Sequence, residues 1–280
     1  MDEEAQSLAI SVSTQEIKDG LWALKSFKAA GSDEIHAGFY QRFWMLMGNS
    51  IIKTVRKVFE TGDVPTYLNR ILITLIPKHS RVNTLGNYRP ISHCNTIYKI
   101  ISKVIVARLR LDLGKIISLM QAVFVPSRKG VDPATIVQEL LHSLNLKKGK
   151  RGYMAIKIDL EKAYDKIEWS FVRDTLAVFN IPPMLSKVIT NWISTSSIEV
   201  LFNGGALDSF NPSRVILQGD HLSPYIFITS LEVLGFLIRD KCDFNLWDPV
   251  SASRGGLAFS HIFFADDQFI IMYSLTTQVR

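Results

Sequence analysis

The sequence predicts an α+β fold in which antiparallel β-hairpins pack with amphipathic helices. Residues 198–202 have the composition of a strand and run into Asn203-Gly204, a strong signal for a two-residue hairpin turn. Apolar residues 261–265 and 268–273 flank Asp266 and Asp267, and this separation predicts a second tight hairpin with both aspartates at its tip. Elsewhere, apolar residues recur at helical spacing. Hairpins and helices in this mixture are typical of α+β proteins.

The N-terminal half begins with a clear helix signal. Ser13 and Glu16 have the spacing of a capping box. Apolar residues then recur at helical spacing as far as Phe27, so we expect the first helix to include that residue. Further along, the pattern predicts a second helix through Phe59, a strand over 70–78 and a helix over 98–113 with basic residues on its polar side.

The C-terminal half alternates helices with strands. Asp132 and Pro133 are a favourable cap and first-turn residue for a helix whose apolar stripe ends at Leu144. An apolar-rich strand, 153–160, carries Asp159 near its end, and we expect it to be as buried as the 261–273 hairpin. Two more helices are predicted, over 170–179 and after Pro182-Pro183.

Composition limits the class of protein. The chain has 280 residues, of which 47% are hydrophobic and 21% charged, and such a balance is typical of a globular protein. Cys94 and Cys242 are too few for a disulfide framework and fit a reducing compartment. The acidic N-terminus lacks a signal-peptide pattern, and the longest apolar run is too short to span a bilayer. We therefore expect a soluble, intracellular protein.

Positive charge is concentrated in one segment. Residues 64–131 contain one acidic residue, Asp112, and eleven lysines or arginines. A surface that serves solubility alone would mix the two signs, so we favour a polyanionic partner over a merely solvated face. The basic residues are Arg70, Lys78, Arg81, Arg89, Lys99, Lys103, Arg108, Arg110, Lys115, Arg128 and Lys129.

Three aspartates suggest a metal-dependent reaction. Asp266 and Asp267 taken alone could be two solvated turn residues, because aspartate favours turns. Their apolar flanks indicate a central hairpin, and Asp159 ends another strand. Clustered carboxylates repel one another unless a cation is present, and hard oxygen ligands suit Mg²⁺ with substrate phosphates. Together with the basic segment, this predicts phosphoryl transfer on nucleic acid, with polymerase and nuclease both open.

Several motifs, in order, resemble the reverse transcriptases of LINE-type (non-LTR) retrotransposons, of the sort abundant in plants. The most specific are IDLEKAYD (158–165), the QGD and LSPY pieces of 218–225, and FADD (264–267). Supporting stretches include AAGSDEIHAGFYQRFW, LITLIPK, NYRPISHCNTIYKIISKVIVARLR, FVPSRKGVD and VLFNGG. The resemblance covers nearly the whole chain. A group II intron maturase is a related alternative, but the motifs AYDKIEW and QGDHLSPY resemble the retrotransposon enzymes more closely.

The resemblance implies a right-hand polymerase-like fold with fingers and palm, the thumb missing. Residues 1–150 would form an N-terminal helical extension and the basic fingers region, and residues 151–280 an incomplete palm. Asp159, Asp266 and Asp267 would be catalytic and would hold two Mg²⁺ ions. The implied partners are an RNA template, a DNA primer and a deoxynucleoside triphosphate, and the implied location is nuclear. The implied nucleotide-binding residues are Lys78, Arg89, Tyr164, Gln218 and Gly219.

Departures from the family pattern leave the activity open. The family usually has Arg-Gly-Leu-Arg before Gln-Gly-Asp-Pro, whereas here Val215 replaces a glycine and Leu217 an arginine. Val215 would be strained if that glycine requires a positive φ. Thirteen residues follow Asp267, fewer than a complete palm and thumb would need. These features favour a truncated or inactive fragment, and the alternative function is a retroelement remnant that only binds nucleic acid through its basic fingers region.

Overall fold

The computed structural model describes residues 11–121, 124–125, 133–147, 152–251, 256–265 and 267–274. The chain forms two compact units, each built from two stretches of sequence. The first unit comprises residues 1–111 and 164–226, and the second comprises residues 112–163 and 227–280. The predicted division at residue 150 was based on charge and motif content and differs from these two units. It stays a prediction.

The first unit opens with three helices. Helix α1 spans Thr14–Trp22, α2 spans Ala37–Arg42 and α3 spans Trp44–Thr61. The predicted capping box is confirmed, because the Ser13 hydroxyl accepts from the Glu16 amide and the Glu16 carboxylate accepts from the Ser13 amide. The prediction that this helix includes Phe27 is wrong. The Gln41 side-chain amide donates to the carbonyls of Leu21 and Leu24, satisfies the free C-terminal end, and leaves Phe27 exposed.

A four-stranded sheet of order β2-β1-β4-β5 follows in the same unit. Strand β1 spans Arg70–Pro77, as predicted, and pairs antiparallel with β2, Tyr88–His93. Strand β4, Ser197–Phe202, pairs parallel with β1 and antiparallel with β5, Gly205–Ala206. The turn residues Asn203 and Gly204 both have positive φ, as a type I′ hairpin requires, so the predicted hairpin is confirmed.

Helix α4, Thr96–Ile116, matches the predicted basic helix. Helices α6, Ala163–Lys166, α7, Trp169–Val178, and α8, Pro183–Ser194, complete the first unit, and Pro183 begins α8 at the position where proline is favoured. The rings of Tyr98 and Trp192 pack with centroids 4.0 Å apart and are almost fully buried. This aromatic contact joins α4 to α8 in the core of the unit.

The second unit contains a three-stranded antiparallel sheet of order β3-β9-β8. Its strands span Tyr153–Asp159, Asp267–Tyr273 and His261–Phe264 respectively. Apolar residues of helix α5, Pro133–Leu146, pack against the sheet: Val137, Leu140 and Leu144 share a core with Ile262 and Ile271. The predicted helix cap Asp132 lies outside the described residues. Helix α9, Ser223–Asp243, and the short pair β6, Val250–Ser251, and β7, Ala258–Phe259, complete the fold.

Burial differs between the strands of this sheet. Strand β9 lies in the middle and β8 is mostly buried, so the prediction of a central hairpin is confirmed. The prediction that the strand of Asp159 is equally buried is wrong, since residues 155–157 and Asp159 of β3 are exposed. Strands β3 and β8 both lie at edges of this sheet, so edge position alone does not explain the difference in burial. The apolar composition of β3 reflects its strand geometry, and composition carries no information about what covers a strand.

The remaining composition-based predictions concern cysteines and membranes. Both cysteines are free, and Cys94 is buried, which raises the pKa of its thiol well above the ordinary value. Among the described helices, none combines the length and the apolar character that crossing a bilayer demands.

Candidate active site

Two of the three predicted catalytic aspartates lie opposite each other on neighbouring strands of the second unit. Asp159, the last residue of β3, is the register partner of Asp267, the first residue of β9. Directly opposed residues of an antiparallel pair place their side chains on the same face, with Cβ atoms about 5 Å apart. Asp266 lies outside the described residues. The fold therefore brings together two carboxylates that are 108 positions apart in the sequence.

The hairpin that carries Asp267 differs from the predicted one by a single residue. Strand pairing joins Phe264 to Asp267, so the predicted tip residue Asp267 takes part in the ladder. Ala265 has φ of +51°, as the first loop residue of a type I′ turn requires. Asp267 is consequently a strand residue, and its position is set by the β3 ladder rather than by turn flexibility.

Lys157 is a site residue that sequence reasoning missed. Its ammonium group lies 3.0 Å from a carboxylate oxygen of Asp267, and its side chain also lies over the Phe269 ring. The period-two alternation of a strand places Lys157 and Asp159 on one face of β3, and that pattern could have revealed it. Both partners are partly exposed, so the ion pair contributes little to stability.

The donor set suits a hard divalent cation. Asp159 is exposed and the side chain of Asp267 is about one-third exposed, so both carboxylates are accessible to an ion that retains water. Carboxylate oxygens are ligands that Mg²⁺ prefers. Two described aspartates fall short of a complete metal-ligand cluster, and among the described residues no set of three acidic, histidine or cysteine side chains converges. Metal binding at Asp267 would displace the Lys157 ammonium.

The predicted triphosphate-binding residues lie at the loop end of the β1–β2 hairpin in the first unit. Arg89 belongs to β2 and is the register partner of Ile76, and Lys78 directly follows β1. Both side chains are exposed. The Lys78 ammonium donates to the Gly86 carbonyl, and the Lys78 amide donates to the Asn87 carbonyl, so the connecting loop folds back on the strand end. The hairpin thus presents the positively charged side chains of Lys78 and Arg89 at its loop end.

The other predicted nucleotide-binding residues share a second location in the first unit. The Gln218 carbonyl accepts a hydrogen bond from the Ser92 amide at 2.8 Å. Ser92 lies three residues after Arg89 on β2, a separation of about 10 Å along the strand. Gly219 has φ of +106°, and a Cβ atom there would lie 3.1 Å from the Ser92 carbonyl oxygen. Tyr164 is half-buried in α6, and its carbonyl accepts from the Ile216 amide at 2.9 Å. The loop 214–219 therefore connects Tyr164 with the inner end of β2.

Comparison with known proteins identifies the family. Residues 76–279 match the family model described as reverse transcriptase (RNA-dependent DNA polymerase). The match covers far more than half of the chain. The chain belongs to the reverse transcriptase family.

Relatives of this reverse transcriptase domain include non-LTR retrotransposon proteins. It is 25% identical over 236 residues, 84% of the chain, to the transposon TX1 uncharacterized 149 kDa protein of Xenopus laevis. It is 24% identical over 217 residues, 78% of the chain, to the retrovirus-related Pol polyprotein from type-2 retrotransposable element R2DM of Drosophila melanogaster. The chain matches 18% and 19% of the lengths of these two proteins. The family is therefore that of non-LTR reverse transcriptases.

In the loop before Gln218, Val215 has a positive φ of the kind that glycine adopts most readily. Val215 has φ of +148°, a conformation that is strained for a β-branched residue. Two hydrogen bonds hold the loop: the Trp169 indole donates to the Val215 carbonyl at 3.0 Å, and Ile216 donates to Tyr164. Leu217, where the family has arginine, is buried. The two hydrogen bonds thus hold Val215 in a backbone conformation that its β-branched side chain disfavours.

We expect Val215→Gly to be more stable than Val215→Ala by about 1 kcal/mol, because both variants lose the isopropyl group and glycine alone relieves the strain. At an ordinary φ the order is reversed, with glycine less stable by roughly 0.5–1 kcal/mol. Urea denaturation of the two variants measures the difference. An alanine variant as stable as the glycine variant, or more stable, would show that residue 215 is unstrained.

Asp220, in the QGD motif of this reverse transcriptase, is a buried residue whose structural role sequence reasoning missed. Its carboxylate accepts from the Ser102 hydroxyl at 2.6 Å and from the Tyr98 hydroxyl at 3.3 Å. Burial raises the pKa of the Asp220 carboxyl, against the opposing effect of hydrogen bonds from Ser102, Leu222, Tyr98 and His221. A carboxylate just before the apolar start of α9 was the available signal. Asp220 fastens the Gln218-Gly219 loop to helix α4.

Proposed function

We propose that this chain is the RNA-directed DNA polymerase domain of a non-LTR retrotransposon and transfers nucleotides to a primer 3′-hydroxyl. The observation that carries the proposal is the register of Asp159 opposite Asp267, which puts two accessible carboxylates on one face of a sheet. Asp159, Asp266 and Asp267 would hold two Mg²⁺ ions. When bound, two such ions stabilise the attacking and leaving oxygens of an in-line phosphoryl transfer.

The protein's own groups would bind and orient the substrates. The Lys78 ammonium offers a point charge to the triphosphate, and the Arg89 guanidinium offers a planar pair of N–H donors. Both side chains are exposed at the loop end of the β1–β2 hairpin. Gly219 lets the backbone approach a nucleotide closely, since no side chain projects from that position. Tyr164 would lie against the sugar and exclude a ribose 2′-hydroxyl, and Gln218 would pack beside the incoming nucleotide.

The finer architecture belongs to the same proposal. Residues 1–150 would act as an N-terminal helical extension and the basic fingers, and residues 151–280 as the palm. The partners would be an RNA template, a DNA primer and deoxynucleoside triphosphates. The basic segment 64–131 supports a polyanionic partner.

A second candidate function is supported by the loop before Gln218. Val215 is strained, and Leu217 lacks the cation that the family has beside the nucleotide. A chain with this loop could retain nucleic-acid binding through its basic residues after losing catalysis. The candidate is a catalytically dead retroelement remnant.

Primer extension with Mg²⁺ on a poly-rA template separates the two functions. The polymerase proposal predicts extension by the natural chain and none by Asp267→Asn. Extension absent from both, combined with salt-sensitive binding of the primer–template, would instead support the remnant. Absence of both extension and binding would contradict both functions.

A further inference from the structure

A basic cavity lies in the first unit and has Gly219, one of the proposed nucleotide-binding residues, in its wall. Its volume is about 580 Å³. Among the residues that the structure describes, its walls contain six basic or histidine side chains and no carboxylate. These side chains are Lys25, Lys28, His93, Lys99, Lys103 and His221. The inference drawn from this cavity rests on the proposed nucleic-acid function and extends it to residues outside the predicted site.

The four lysines form no ion pair with any carboxylate among the described residues. Within the described part of the chain, none of them has a carboxylate within ion-pair distance, and the Lys99 ammonium donates to the Ala29 carbonyl at 2.7 Å. Burial lowers the pKa of the Lys99 ammonium, and burial together with Arg110 lowers the pKa of Lys103. For Lys99 the nearby Asp33 carboxylate opposes the effect of burial on the pKa. A bound anion would stabilise the charged forms of both partly buried lysines.

A buried polar atom of His221 provides a second observation. Within the described chain, the Nδ1 atom of His221 is buried without a hydrogen-bond partner, and His221 lines the cavity. Buried polar atoms normally have a partner, so an unpartnered one in a cavity wall points to a ligand or water. Burial, Lys103 and Lys99 lower the pKa of His221 to about 4. A neutral imidazole can still donate a hydrogen bond to a phosphate oxygen.

From these features we propose that the cavity binds a phosphate of a nucleic-acid strand. Its volume exceeds what a bare phosphate fills, and Leu24 and Ile91 supply apolar wall area for an adjoining sugar or base. Lys99 and Lys103 belong to the basic segment 64–131, which connects the cavity with the predicted polyanion surface. Lys25 and Lys28 come from the region before residue 76, where the family match begins.

The test compares two double variants in a binding assay that requires no catalysis. Lys25→Gln/Lys28→Gln removes two exposed cavity lysines, and Lys53→Gln/Lys57→Gln makes the same charge change on the exposed side of α3, away from the cavity. Anisotropy of a fluorescein-labelled 12-nucleotide oligoadenylate gives the Kd over a range of salt concentrations. We expect the cavity variant to raise the Kd by about tenfold and to reduce the salt slope by about 0.7 per lost phosphate contact.

Competition with pyrophosphate distinguishes a strand from a free phosphate compound. If pyrophosphate binds and depends on Lys25 and Lys28, whereas oligoadenylate binding does not, the cavity is a site for small phosphates and the strand proposal is overturned. Equal weakening by the α3 control variant would also overturn it, because net charge alone would then explain the effect. The proposed polymerase activity is measured separately. Its absence would not change the measured dependence of oligoadenylate binding on Lys25 and Lys28.

Ala29→Glu supplies an independent check. The exposed Ala29 side chain lines the cavity, and a carboxylate there would pair with the neighbouring lysines. We expect this variant to lose oligoadenylate binding to the cavity while its melting temperature rises. Unchanged oligoadenylate binding in both this variant and Lys25→Gln/Lys28→Gln would contradict the proposal.

Discussion

Asp159→Asn is expected to lower the rate of single-nucleotide incorporation by about 10³-fold, corresponding to roughly 4 kcal/mol of lost transition-state stabilisation. Asparagine keeps the size of the side chain and removes the negative charge. Because Asp159 faces Asp267 across the β3–β9 ladder, the change removes one of the two described carboxylates that would bind the cation. Single-turnover extension of a labelled primer at saturating nucleotide measures the effect.

The matched control is Asp174→Asn. Asp174 is exposed on α7 and forms an ion pair with the adjacent Arg173, so its charge has no part in the proposed site. We expect this variant to extend primers at the rate of the natural chain. A folded Asp159→Asn protein that retains more than a tenth of the natural rate would contradict the role of Asp159. We also expect that a higher Mg²⁺ concentration restores little of the lost rate.

Local sequence signals predicted the features that local interactions form. The capping box of Ser13 and Glu16 and the turn at Asn203-Gly204 depend on residues within three positions of each other. The end of α1 could not be found in this way. It depends on hydrogen bonds from Gln41, which is twenty positions away from Leu21. The pattern of apolar residues alone therefore extended the helix too far.

Long-range pairing was the main feature that sequence patterns missed. Strand β4 pairs parallel with β1, and the two are separated by more than 120 residues, so neither strand carries a local signal for the other. The edge position of β3 has the same origin, since it depends on which strands flank β9. Asp159 is exposed, although its apolar neighbours in the sequence suggested burial.

The candidate site was predictable where a motif specified it. Asp159 and Asp267 came from two separate motifs, and the fold places them opposite each other. Lys157 and Asp220 were missed because their importance lies in contacts with Asp267 and with Ser102 on a distant helix. A motif marks residues that carry chemistry, whereas the partners that hold them are fixed by three-dimensional packing.

Asp220→Ala is expected to lower the free energy of unfolding by about 3 kcal/mol. The carboxylate accepts hydrogen bonds from Ser102, Tyr98 and the backbone amides of His221 and Leu222. Alanine would leave these buried donors without an acceptor, and each unsatisfied group costs about 1 kcal/mol or more. Urea denaturation measures the loss. Ser102→Ala, which removes one of the donors, should cost about 1 kcal/mol, and equal losses in the two variants would contradict the role assigned to Asp220.

The pH dependence of Asp220→Asn gives a second measurement on the same residue. Because burial raises the pKa of Asp220 above its ordinary value of 3.8, the folded protein holds this proton more tightly than the unfolded chain. The contribution of Asp220 to stability is therefore fully present below pH 3.8 and declines as the pH rises through the higher folded pKa. Asparagine does not titrate, so the stability advantage of the natural chain over Asp220→Asn should shrink as the pH rises above about 4. An advantage that grows with pH would mean that hydrogen bonds from Ser102 and its neighbours outweigh burial and hold the folded pKa below the unfolded one.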